Sequence, residues 1–80
     1  MRVDKFLKVS RLIKRRTVAA SAASANRVIV NGRAVKPAYS LKTGDEIEVV
    51  FGNATLKARV KSLDEKAAIK APESLYEVIE

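Results

Sequence analysis

At 80 residues, with 48% hydrophobic side chains, 16 Lys and Arg against 9 Asp and Glu, and neither Cys nor His, the chain reads as one small basic domain. The missing Cys and His exclude a disulfide framework, the Cys/His zinc sites, a thiol nucleophile and the commonest general base; so little chain also leaves scant room for a catalytic cleft, and we expect no enzyme, cofactor or metal site. The charge is lopsided: Met1 to Lys36 holds ten Lys or Arg and one carboxylate, Asp4, whereas residues 37–80 are net acidic, a pattern that points to one face attracting polyanions, nucleic acid first among them.

Val3, Phe6, Leu7 and Ile13, with Ser10 between, recur at spacings of three and four. That predicts an amphipathic first helix from about Val3 to about Ile13. Lys5 and Lys8 point away from the apolar stripe, with Asp4 and Arg11 to one side. Exposed helices gain ~0.2–0.5 kcal/mol from each opposite-charge pair at i, i+4. Here only Asp4 and Lys8 can form one. Asp4 reads as an orienting partner for a nearby Arg or for the helix end rather than as a catalytic acid.

Lys14-Arg15-Arg16 comes next, and Thr17 suits the N-cap of a short second helix from Val18 to Ala25. The Ala positions of that helix allow close packing on the first. Asn26 occupies the place where a left-handed residue is wanted. Three cations just before a helix N-terminus are unfavourable in isolation and favourable around a docked phosphate.

Val28 to Val30, Asn31-Gly32 and Arg33 to Val35 predict a hairpin with a two-residue turn. It sets Val30 opposite Arg33 and Ile29 opposite Ala34. It also sets Arg27 opposite Lys36, a like-charge pair consistent with splayed ends or a nearby anion. Thr43-Gly44-Asp45 turns into a strand from Glu46 to Phe51, and Gly52-Asn53 separates it from Ala54 to Leu63. The register that follows pairs Phe51 with Ala54, Val49 with Leu56 and Ile47 with Ala58 on an apolar face. The other face pairs Val50 with Thr55, Glu48 with Lys57 and Glu46 with Arg59. Lys57 and Arg59 therefore face acids and fall outside the binding surface, while Phe6 and Phe51 belong to the core. Asp64 to Ala71 has helix propensity until Pro72, and Leu75 to Ile79 forms a last strand that leaves Glu80 at a frayed end. The expected fold class is α+β: two N-terminal helices packed on a small antiparallel sheet of four or five strands.

Four pieces, in this order and at these spacings, resemble the RNA-binding domain named after small-subunit ribosomal protein four, the S4 domain. They are Arg2-Val3-Asp4-Lys5-Phe6-Leu7, Arg15-Arg16-Thr17, Arg27-Val28-Ile29-Val30-Asn31-Gly32 and Gly44-Asp45-Glu46-Ile47. Asn26 departs from the Gly usual there, but Asn tolerates the same conformation. The resemblance implies an RNA-binding unit over residues 1–50, with the strands of residues 51–80 completing the same single domain. Among stand-alone members the chain is similar to ribosome-associated quality-control proteins of the RqcP type, and to the small heat-shock protein that binds dissociated large subunits. What this implies is docking on large-subunit rRNA and peptidyl-tRNA while an elongating partner adds Ala residues to the stalled chain. It also places RNA contacts at Arg2 and Arg16.

The expected contact surface is L-shaped and made of Arg2, Lys5, Lys8, Arg11, Lys14, Arg15 and Arg16, gripping the phosphates of folded RNA. With few aromatic residues, a base-stacking platform for single strands is disfavoured. A DNA-reading helix-turn-helix is a rival, but the second helix offers little beyond Ala, Ser and Val to read bases. An adaptor for an acidic protein or an anionic membrane is another; a basic face without a bulky apolar anchor inserts weakly into lipid. Without an apolar run near eighteen residues or a signal-peptide core, we expect a soluble, cytoplasmic monomer.

Overall fold

The structure, a computed structural model, describes residues 1–79; the expectation for Glu80 lies outside the described residues. Helix α1 (Val3–Val9) leads through a tight connection to α2 (Arg16–Ser24). Strands β1 (Val28–Val30), β2 (Arg33–Ala34), β3 (Glu46–Phe51) and β4 (Ala54–Val60) follow. A short helix α3 (Glu65–Lys70), a 3-10 turn (Pro72–Leu75) and β5 (Tyr76–Val78) end the described chain. The strands form one sheet in the order β2-β1-β3-β4-β5, antiparallel at every pairing. This is the α+β arrangement expected.

The register of β3 on β4 is the predicted one, pair for pair from Glu46–Arg59 to Phe51–Ala54. One sheet face buries Val28, Val30, Ile47, Val49, Ala58 and Val60. Against it pack Val3, Phe6 and Leu7 of α1 and the small Ala19 and Ala23 of α2, all fully buried. Each large apolar side chain so buried contributes about 1.5–3 kcal/mol. Leu75 closes the core from the C-terminal side, so both halves of the chain build one cluster.

Several boundaries differ from expectation. The first helix stops at Val9, not Ile13. Arg11 adopts a left-handed conformation with φ 61°. Its N–H donates to the Lys8 carbonyl at 3.0 Å, and the Ile13 N–H donates to that of Leu7 at 3.0 Å. These bonds satisfy carbonyls that the helix end would leave bare. Ile13 still reaches the core, so the apolar spacing was real but is met by a reversal of the chain. The second helix starts at Arg16, with extended Arg15 as its cap and no side-chain cap bond, so Thr17 lies inside the first turn. Its far end behaves as expected. Asn26 has φ 61°, and the N–H groups of Asn26 and Arg27 donate to the carbonyls of Ala23 and Ala22, a paired closure of the helix end.

The Asn31-Gly32 turn has φ 51° and 85° at its two central residues, as a type I′ hairpin requires. Arg27 and Lys36 do not extend its ladder: the Arg27 carbonyl accepts from the Val50 N–H, and Lys36 Nζ donates to Asn26 Oδ1 at 3.4 Å. Strand β4 ends at Val60 rather than Leu63, because the N–H groups of Lys61 and Ser62 turn to the Leu75 carbonyl. Leu75 belongs to the 3-10 turn, and β5 begins one residue later. Phe51 is not core. It closes the β3–β4 hairpin, lines an open groove beside Val18 and Ala22 of α2, and is exposed.

Candidate nucleic-acid interface

Asp4 organises the start of the chain. It lies in the first turn of α1 with its carboxylate 5% exposed. Oδ1 accepts from the Lys5 N–H at 2.7 Å. Arg2 grips the same carboxylate with two prongs, Nε to Oδ1 and Nη2 to Oδ2, each 3.2 Å. Arg16 reaches across from the first residue of α2, Nη2 to Oδ1 at 3.4 Å. Two guanidinium groups thus share one anion, leaving a net positive charge at that corner. Both remain about half exposed, 51% for Arg2 and 46% for Arg16, with donors free for another acceptor. The backbone fixes this corner too. The Val3 N–H donates to the Tyr39 carbonyl, and Arg2 bridges to Ser40.

The sharp reversal after α1 brings a second group together. Lys8, Arg11 and Lys14 surround one shallow hollow of about 390 Å³. None of the three makes an ion pair among the described residues. Arg15 is exposed at the α2 cap and is also without one. The first turn of α2 contains no acid of its own to offset its positive end. Lys5 is the exception among the seven predicted residues. Its Nζ pairs with Glu65 Oε1 of α3 at 2.9 Å, a contact between distant segments that local spacing could not reveal. The seven therefore divide: Arg2 and Arg16 share Asp4, Lys8, Arg11, Lys14 and Arg15 are uncompensated, and Lys5 is neutralised.

On the opposite side of the sheet Lys57 and Arg59 face acids, as the register predicted. Lys57 Nζ lies 3.9 Å from Glu48, and Arg59 bonds Glu46 at 3.1 Å and Glu77 at 3.2 Å. The hydrogen bond to Glu46, then that to Glu77, holds the Arg59 guanidinium pKa above its ordinary value. Among the described residues there is no cluster of acids that could hold a metal ion, and no helix long and apolar enough to cross a membrane.

Residues 1–47, which contain α1, α2, the first hairpin and the start of β3, match the family described as S4 domain. The chain belongs to the S4 domain family. Its S4 domain carries the Arg2–Asp4–Arg16 constellation at the junction of the two helices. A protein of Listeria monocytogenes described as "RQC P-site tRNA stabilizing factor" is 46% identical over 79 residues, spanning 99% of this chain and 86% of the relative. A Bacillus subtilis protein with the same description is 40% identical over 79 residues, 99% of this chain and 92% of that one. Among solved structures, trimeric Vibrio cholerae Heat Shock Protein 15 superposes with a TM-score of 0.86 at 25% identity, covering 99% of this chain and 81% of that one.

Proposed function

We propose that this S4-domain protein is a non-enzymatic docking factor of ribosome-associated quality control. On this reading it binds large-subunit rRNA and the peptidyl-tRNA, and stabilises the tRNA in the P site. A partner on the same subunit then extends the stalled chain with Ala residues. The protein acts in the cytoplasm as a monomer and needs no cofactor. The observation that carries the reading is the pair of half-exposed guanidiniums held by buried Asp4 beside four uncompensated cations. Arg offers paired N–H donors to phosphate, and preorganising two of them reduces the ordering cost of binding. Nearly full-length relatives described as P-site tRNA stabilizing factors support the same reading. Backbone contacts of this kind position a protein on RNA of fixed shape without reading its sequence.

Affinity capture of the tagged protein from cells tests this. The expected cargo is large subunits that retain tRNA and a nascent chain ending in Ala. Recovery of large subunits with a nascent chain but no Ala tail would favour a heat-shock-type recycling role, to which the Vibrio structural match lends support. Recovery without ribosomal RNA would refute both.

A further inference from the structure

Beside the cationic corner lies an apolar surface feature. A groove of about 650 Å³ opens between the α1–α2 connection, α2 and the end of β3. Leu12, Val18, Ala22, Val49 and Phe51 are among its walls, and Val18 and Phe51 stand 51% and 43% exposed. Two cations, Lys14 and Arg27, border it, and among the described residues no carboxylate does. Neither cation makes an ion pair or a side-chain hydrogen bond among the described residues.

We propose that this groove docks a protein segment that is both apolar and acidic, laid as an amphipathic helix with Leu or Phe anchors between α2 and β3 and carboxylates against Lys14 and Arg27. The lining chooses among occupants. An aliphatic wall with one aromatic side chain suits hydrocarbon anchors, which bring no polar atoms to desolvate. A nucleobase would need partners for its edge, and Ser21 supplies the one hydroxyl in the wall. A second copy of this chain meets repulsion between molecules of net charge +7. The bare cations select acid, so the charge complementarity names the partner chemistry. The proposal is independent of the RNA reading. Lys14 borders both the groove and the cationic hollow, so the partner would lie directly beside whatever the hollow binds.

The test is amide-shift mapping on the isotope-labelled full chain with two probes. One is a synthetic helical peptide of about fourteen residues with Leu and Phe at i, i+3, i+4 and i+7 and Glu between them. The other is a short oligouridine. The peptide should move the amides of Val18, Ala22, Arg27 and Phe51. Its dissociation constant should rise at least about tenfold on Phe51→Ser, on Val18→Glu, or when Lys replaces its Glu residues. Both substituted side chains are exposed, and unchanged spectral dispersion verifies that each variant is folded. Oligouridine should leave the groove amides in place even where it moves those of Lys8 and Arg11. No shift at millimolar peptide, equal binding of the Lys-bearing peptide, or oligouridine displacing the peptide would each overturn the proposal.

Discussion

Asp4 connects one residue to the behaviour of the surface. It is buried and acidic, and it holds two half-exposed cations that the proposed function sets against phosphate. Counting charge alone, Asp4→Asn makes the protein more basic and should tighten RNA binding. The geometry predicts the reverse. Without the carboxylate, Arg2 and Arg16 lose their common anchor and must be ordered afresh on each binding event, at about 0.5–1.5 kcal/mol per side chain. Asp4→Asn should therefore weaken association with large subunits about three- to tenfold, measured by co-sedimentation. It should also lower unfolding free energy by about 1–3 kcal/mol, measured in urea, because charge-assisted bonds to a buried group are lost. Tighter binding would show that the carboxylate merely dilutes the charge.

Secondary-structure elements divide into those whose ends are written locally and those whose ends depend on distant partners. The β3–β4 ladder was legible because strict alternation and the Gly52-Asn53 turn leave one register that keeps Ile47, Val49 and Ala58 on one face. The end of α1 was not, because Ser10 and Ile13 continue the helical spacing while the chain actually reverses at Arg11. Asp4 as an orienting partner for a nearby Arg was legible in the sequence, and it holds Arg2 and Arg16. That Glu65 of α3 would neutralise Lys5 could not, since it depends on how α3 docks on α1. Phe51 was misassigned because hydrophobicity does not say whether the facing helix fills the space above a strand: here the small side chains of α2 leave an open groove beside it.

Two predictions belong to these elements. Arg11 occupies a position that favours Gly, and the left-handed conformation costs a residue with a Cβ roughly 1 kcal/mol. Arg11→Gly should raise stability to urea by up to about 1 kcal/mol and still weaken subunit binding, the opposite signs marking a cation kept at a strained place. Asn31 does more than turn its hairpin. Its side chain accepts from the Glu46 N–H at 3.0 Å and donates to Asp45 Oδ1 at 3.0 Å, tying β1 to the entry of β3. Asn31→Ala should cost about 1–3 kcal/mol in thermal or urea unfolding, with RNA affinity of the folded fraction nearly unchanged.

For the molecule as a whole, the central fact is where charge is left uncompensated. The sheet face pairs Glu48 with Lys57 and sets Arg59 between Glu46 and Glu77. The two leading helices do otherwise: among the described residues seven cations meet only Asp4 and Glu65, a net of five positive charges. If these neutralise phosphates, log affinity should fall against log salt with a slope of about −3.5 to −4.5, at roughly 0.7–0.9 per contact. A slope near zero in a salt titration would mean that charge does not drive the encounter.

The most direct measurement compares Arg16→Ala with Lys57→Ala in binding to purified large subunits that carry peptidyl-tRNA, at one fixed salt concentration. Both variants remove one half-exposed cation from the same small protein. Arg16→Ala should raise the dissociation constant at least about tenfold, as loss of a paired phosphate contact does, while Lys57→Ala changes it less than about twofold. Equal losses would show that the binding face does not lie at the junction of the two helices.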